Sequence, residues 1–319
     1  LHIGYGRVRR GGCAIGWGDE IVAAGQAQRL YDANPSTRIT ICDAVGTPRW
    51  HPIWQGNPII ATPDQVRCGE PVREIINAPN ARPYIVYPFT KETGWTFNQR
   101  FHCREHVAKL YLTPSEIARG LDALAQYGPY VLIEPYTKHE NFRWPYARWA
   151  ALVAHCPDLT FVQHVHHESF IPIPGAHHEH ATFREACGLV AAATCYVRSE
   201  SGLCHAAAAL GTPQVTIFGG CMDANVMGGY VGQTCLVDGS TDTPCGRWQA
   251  CAHCAAAMQR LTVETVADTL RLRLLCPLGP GDTAFVVPED EALPDLTVVA
   301  SDPVLPPPRL RRRRAHGAE

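Results

Sequence analysis

Between an apolar run ending at Arg198 and a helical one ending at Leu210, the chain reads Ser199-Glu200-Ser201-Gly202-Leu203-Cys204-His205. An acid, a hydroxyl and a glycine thus arrive together at the start of a helix. Free backbone amides and the positive end of the helix dipole make such a start an anion site. The Ser201 hydroxyl and His205, one turn in, add hydrogen bonds, so the chemistry that fits is the holding of a diphosphate. Ala206 to Ala209 let the helix lie close on a sheet. Taken alone, His205 is also what a satisfied core histidine looks like.

A second glycine turn, Gly16-Trp17-Gly18-Asp19, lies between the short apolar stretch Cys13-Ala14-Ile15 and a helical pattern. Glycines there let a ligand approach the backbone. Asp19 has two readings, a helix cap and a reactive carboxylate. The turn does not continue into G-x-G-x-x-G, which disfavours classical dinucleotide binding.

Cys245, Cys251 and Cys254, with His253 beside them and Cys235 upstream, suit a structural zinc or iron; plain reduced thiols are the alternative. No catalytic role is expected there. His164, His166, His167, His177, His178 and His180 flank an Ile-Pro-Ile-Pro-Gly segment and are expected to be exposed loop histidines, since no regular ligand spacing appears. Trp50, His51, Trp54, Trp95, Phe97, Arg100, His102, Arg104 and His106 mix aromatic and basic residues. They suit stacking on a base or sugar, or the filling of a small irregular core.

The elements that must position these residues alternate. Ile21, Ala24, Ala27 and Tyr31 mark one helical face up to about Ala33, and Arg38 to Cys42 a buried strand, a βαβ opening. Residues 43–110 offer only short strand candidates such as Tyr84-Ile85-Val86-Tyr87. A capping box at Thr113 and Glu116 opens a helix with Ile117, Leu121 and Leu124 as its expected core face. Strands at 130–134, 159–163, 195–198 and 214–218 then alternate with helices. Those at 145–155 (Trp149, Leu152 and Val153 inward), from Thr182 to about Ala193, at 202–210 and after Thr262 complete the series. The fold class expected is α/β, with two Rossmann-like domains facing a cleft: 1–128, 129–276, and a Pro-rich then Arg-rich tail, 277–319, without fixed order.

The chain has 319 residues, 46% hydrophobic and 18% charged, which excludes a disordered protein. No apolar run reaches membrane-spanning length, and the basic first residues lack a following apolar stretch, so neither a bilayer span nor a signal peptide is expected. Fourteen cysteines in such a chain point to reduced thiols or a metal rather than disulfides, and to the cytoplasm. The net charge of −2 combines an acidic body with a tail carrying Arg309 and Arg311 to Arg314. A body of that sign is no general nucleic-acid binder. The tail is expected to be a solvated segment; lipid or nucleic-acid contact are its other readings.

The segment from Glu200 to His205 resembles the acid-small-Gly-Leu-x-His motif of glycosyltransferase family 9, the heptosyltransferase-like enzymes of the two-domain GT-B fold. Three more stretches are similar to the family in the right order: Gly16-Trp17-Gly18-Asp19-Glu20; Glu134-Pro135-Tyr136 on through Asn141-Phe142-Arg143-Trp144-Pro145 to Trp149; and Thr182-Phe183-Arg184-Glu185-Ala186. The resemblance implies inverting sugar transfer from a nucleotide-diphosphate donor, with no cofactor required for catalysis. It implies Asp19 as general base. It implies a donor site of Gly16, Gly18, Thr137, Lys138, Arg143, Glu168, Glu200, Ser201, Gly202, Leu203 and His205, with Arg143 on phosphate and Glu168 on the ribose. Arg143 stands where the family has Lys, and Glu200-Ser201 replaces the commoner Asp-Thr or Asp-Ser.

The implied partners are a nucleotide sugar and a glycan or glycolipid acceptor such as lipopolysaccharide, with at most peripheral membrane contact. Residues 43–110 do not look like the family's lipopolysaccharide-binding part. A modified DNA base as acceptor therefore stays open, as do a nucleotide-sugar epimerase and an inactive sugar-nucleotide-binding module.

Overall fold

In the computed structural model the described residues are 16–79, 81–83, 107–166, 170–224, 230, 232–240, 243–247 and 249–276, with the backbone of two strands between 283 and 299. The first unit opens with α1 (Trp17–Ala33), followed by β1 (Arg38–Cys42), the short helix α2 (Pro63–Arg67) and β2 (Val72–Ile76). β1 and β2 pair in parallel, from Arg38 opposite Val72 to Cys42 opposite Ile76. The candidate strands at 13–15 and 84–87 lie outside the described residues, as do the aromatic and basic positions from Trp95 to His106.

Next comes α3 (Pro114–Tyr127), then β3 (Val131–Glu134), α4 (Tyr146–His155), β4 (Phe161–Val165) and β5 (His177–His180). The chain continues through α5 (Phe183–Ala192), β6 (Cys195–Ser199), α6 (Gly202–Leu210), β7 (Gln214–Gly219) and β8 (Gln233–Val237). Helices α7 (Ala252–Arg260) and α8 (Val263–Leu275) follow, then β9 (Thr283–Val287) and β10 (Asp295–Val299). The eight strands form one sheet in the order β10-β9-β8-β7-β6-β3-β4-β5, parallel except for the β9–β10 pair.

Parallel strands covered on both faces are apolar almost throughout, and β3, β4, β6 and β7 are buried along their whole length. Alternate residues feed two cores. Val131, Ile133, Val197, Val215 and Ile217 pack against α4, α7 and α8. Leu132, Val162 and Tyr196 pack on the other face with α5 and α6. That second core also takes in Ile21, Ile39, Ile41 and Trp54, so the first unit is joined to the sheet through apolar packing. From β3 the chain steps outward to β4 and β5, then returns to β6 on β3's other side. The reversal opens a crevice beyond the carboxyl ends of β3 and β6, the place where open α/β sheets bind ligands.

The local signals are realised where they are stereochemically specific. Thr113 with Glu116 and Thr182 with Glu185 form reciprocal capping boxes, Thr262 caps α8, and Gly211 ends α6 at φ +73°.

Two expectations are corrected. Ile117 and Leu121 are not the core face of α3; they are exposed, while Glu116, Gly120 and Ala123 are buried. The cause is a close helix approach, since a methyl on Gly120 would stand 2.2 Å from the Gly188 carbonyl oxygen on α5. His177 to His180 are not a loop but the edge strand β5, paired with β4 from Val162–His177 to Val165–His180. Within the segment after 277, the backbone of β9 and β10 adds to the sheet edge; residues 301–319 lie outside the described residues.

Candidate active site at the meeting of two helix starts

The strand β6 ends at Ser199, and Glu200 and Ser201 turn the chain into α6. Ser201 is the N-cap residue, but its hydroxyl does not cap the helix. Thr137, at the root of the loop after β3, donates its hydroxyl proton to the Glu200 carbonyl at 3.3 Å and ties the two strand ends together. The Arg143 Nε donates to the Thr137 carbonyl at 3.1 Å, and its guanidinium lies 5.9 Å from the Tyr136 ring. Arg143 is half exposed, 3.6 Å from Glu140, and Lys138 is exposed.

The start of α1 comes to the start of α6. A methyl on Gly18 would stand 2.4 Å from Cδ2 of His205 and 3.1 Å from the Gly202 Cα, so only glycine allows this approach. Trp17 stacks on Phe183 at 4.7 Å beside the junction. His205 is buried, with Nδ1 2.6 Å from the Tyr230 hydroxyl and Nε2 3.9 Å from Glu200 Oε1.

Asp19 takes the place its capping reading requires. Oδ2 accepts from the Gly16 amide at 3.1 Å, closing the helix start, and Oδ1 lies 2.5 Å from the Arg82 guanidinium. Glu20, next along, is drawn inward instead: Arg49 holds both its oxygens at 2.9 Å, and Asn77 donates to one of them at 2.8 Å. Of the two acids, Asp19 alone keeps a carboxylate partly open to the cleft. Burial pushes the Glu200 carboxyl up to about 7; Arg198 opposes this and the charge of Asp19 adds to it. The two glycine turns therefore share one electrostatic site. Gly16, Gly18, Asp19, Glu200, Ser201, Gly202 and His205 meet there, Thr137 and Arg143 join them through the Glu200 and Thr137 carbonyls, and Leu203 turns into the apolar core instead. Glu168 lies outside the described residues.

The cysteines meet behind the donor loop. Cys245 Sγ lies 3.1 Å from Cys254 Sγ and 3.9 Å from Cys251 Sγ, and His253 Nδ1 is 3.9 Å from Cys254 Sγ. Thiolates about 2.3 Å from a tetrahedral ion stand roughly 3.8 Å apart, so this donor set fits a soft metal such as zinc or iron. Cys221, at the end of β7, lies against Cys254 as well, and a gap of more than twenty residues hid it from spacing arguments. Asn141 locks the cluster to the loop that carries Arg143. Its amide donates to the carbonyls of Arg247 and Gln249 at 2.7 and 2.8 Å, and it accepts from the Cys251 amide at 3.0 Å.

Sequence reasoning missed three partners of the site: Arg82 on Asp19, Tyr230 on His205, and Arg198 beneath Glu200. Arg198 ends an apolar strand, and the only signal was a charge in a run otherwise fit for burial.

A parallel sheet with a topological reversal, met by a smaller α/β unit whose first helix points into the crevice, defines the GT-B class of glycosyltransferase folds. Within it, residues 180–245 match the family model of glycosyltransferase family 9 (heptosyltransferase). The fold is similar to that of the ADP-heptose lipopolysaccharide heptosyltransferase II of E. coli, at 14% identity and a TM-score of 0.57, over 82% of this chain and 97% of that one. It is similar to a family 9 glycosyltransferase of Veillonella parvula, at 12% identity and a TM-score of 0.58, over 82% and 95%. It is also similar to the iron-containing dodecameric glycosyltransferase TibC of enterotoxigenic E. coli, at 15% identity and a TM-score of 0.53, over 82% and 74%. No curated protein sequence matches the chain. The resemblance to family 9 carried by the motifs is borne out in the matched segment and in the fold. No helix among the described residues is long and apolar enough to cross a membrane.

Proposed function

We propose that the chain is an inverting glycosyltransferase that moves a sugar from a nucleotide-diphosphate donor to a hydroxyl of a bacterial surface glycan such as lipopolysaccharide, on the cytoplasmic side. The observation that carries this reading is the contact of Gly18 with His205 and Gly202. It sets a carboxylate, Asp19, against a helix start suited to a diphosphate.

In this reading residues 129–276 hold the donor and residues 1–128 face the acceptor. The diphosphate lies at the start of α6, on the amides following Ser201 and within reach of the Ser201 hydroxyl, His205 and Arg143. As the glycosidic C–O bond breaks, charge grows on the leaving diphosphate, and these fixed donors stabilise it. The acceptor oxygen attacks the anomeric carbon from the opposite side and gives its proton to Asp19. Arg82 and the Gly16 amide hold that carboxylate in place. Burial favours the neutral form of Glu200, which keeps a second negative charge away from the diphosphate. The thiol cluster holds a structural zinc or iron that fixes the Arg143 loop through Asn141; the iron of the similar TibC supports this assignment.

A thermal-shift panel with ADP, GDP, UDP, CDP and their sugar conjugates tests the donor site. A ligand at 100 times its dissociation constant adds about 2.7 kcal/mol to the folded state. One nucleotide family should shift the wild type, and Arg143→Ala and His205→Ala should weaken its binding. Unchanged affinity in both would remove these residues from the site. Turnover of the nucleotide sugar into an isomer with no acceptor present would instead indicate an epimerase.

A further inference from the structure

At the root of the donor loop, Glu134 ends β3 while His164 and His166 lie at the end of β4. One oxygen, Glu134 Oε1, is 3.7 Å from His164 Nδ1 and 3.1 Å from His166 Nδ1. The other, Oε2, is already held: Arg198 stands 2.7 Å from it, and the Tyr196 hydroxyl donates to it at 2.8 Å. We propose that Glu134 Oε1, His164 Nδ1 and His166 Nδ1 bind a divalent transition-metal ion, at a site separate from the cysteine cluster and independent of the glycosyltransferase reading.

Here two lone pairs conflict. The Nε2 of His164 lies 3.1 Å from the Ala181 carbonyl, a contact that an N–H must make. In the neutral ring this leaves Nδ1 as an acceptor. His164 is 4% exposed, and its Nδ1 has no hydrogen-bond partner, yet it faces a carboxylate oxygen, another acceptor. Leaving a buried acceptor unmet is costly. A cation between the two atoms turns this opposition into two coordinate bonds.

The spacing also suits an ion. Ligands about 2.0–2.1 Å from a tetrahedral zinc stand roughly 3.3 Å from one another. The 3.7 and 3.1 Å separations bracket that value, and all three ligand atoms lie within 4.8 Å of one another. The ligands are also supported from behind. Arg198 and Tyr196 fix Oε2, so the carboxylate presents Oε1 in one orientation, and the Ala181 carbonyl fixes the tautomer of His164. Metal-binding imidazoles and carboxylates are held by such outer contacts. Arg198 against Oε2 offsets the burial of the carboxylate.

Imidazole and carboxylate donors suit Zn²⁺, Fe²⁺, Co²⁺ or Ni²⁺ rather than Ca²⁺ or Mg²⁺. Three protein ligands leave a fourth position for water or another oxygen, and His166, a third exposed, gives the site access to solvent. The competing arrangement is a proton: His164 as an imidazolium donating to Glu134.

The test uses the full chain without an added histidine tag, stripped by a chelator and titrated anaerobically with Co²⁺. Cobalt bound by nitrogen and oxygen absorbs in the visible without the thiolate charge-transfer band that a cysteine site adds. We expect a component lacking that band, one fewer ion per chain in His166→Ala, and affinity at that component at least about tenfold weaker in Glu134→Gln. His166→Ala alters a side chain open to solvent, so its fold should survive, and a circular dichroism spectrum checks this. Should either variant misfold, the wild-type spectrum still decides. The inference is overturned if all bound cobalt shows thiolate charge transfer, or if folded His166→Ala binds as many ions as wild type with the same affinity. Those are the results expected of the imidazolium.

Discussion

Gly18 and His205, separated by most of the chain, meet so closely that a single added methyl would stand 2.4 Å from the imidazole Cδ2. The imidazole is not free to yield, because its Nδ1 is 2.6 Å from the Tyr230 hydroxyl. Gly18→Ala should therefore force α1 away from α6. Overpacking of this kind costs about 1–3 kcal/mol. Nucleotide-sugar turnover should fall by more than the stability loss alone accounts for. Urea unfolding and an activity assay on the same preparation measure both, and a variant as active as wild type would dissociate this contact from function.

Glu200 should make stability depend on pH. Burial raises its pKa from 4.5 to about 7 in the folded protein. Between those values the folded state binds more protons than the unfolded one, so stability falls as pH rises from 4.5 to 7. The neutral form carries no penalty below that window, and the full cost, roughly 3 kcal/mol, applies above it. Glu200→Gln should flatten the dependence in this window, and denaturant titrations across it check the change in slope.

Much of this was legible in the sequence, and the reasons differ by element. Capping boxes at Thr113 and Thr182 and the Gly211 stop depend on neighbouring residues, so a linear reading finds them. The strand β5 carries three histidines and one glutamate, with none of the apolar pattern that marks a strand; only its place beside β4 makes it one. The face of α3 was misread because Gly120 and Gly188 bring two helices backbone to backbone, burying small residues and leaving Ile117 and Leu121 outside. At the site, Asp19 and His205 were visible because each sits in a glycine-marked turn. Arg82, Tyr230 and Cys221 come from distant segments and carry no local signature. His164 was grouped with exposed loop histidines, yet as the fourth residue of β4 it is buried.

The cysteine cluster should be a structural metal site. Removing the ion with a chelator, or replacing Cys254 with Ser, should lower the melting temperature and weaken nucleotide binding together, because Asn141 couples the thiol loop to the Arg143 segment. Readdition of zinc or iron should restore both in the chelated wild type. Metal analysis alongside calorimetry checks this, and a chain that keeps its melting temperature after complete metal loss would contradict it.

The central claim is that Asp19 takes the acceptor proton at a donor site built on the start of α6. The most direct measurement compares wild type with Asp19→Asn, following release of the nucleoside diphosphate and appearance of glycosylated acceptor while donor affinity is measured separately. Asparagine keeps the size of the side chain and can still accept from the Gly16 amide, so the helix start should remain intact. The account predicts donor affinity close to wild type and transfer slower by about 10²- to 10⁴-fold, the usual contribution of a general base. Transfer by Asp19→Asn at the wild-type rate would contradict it.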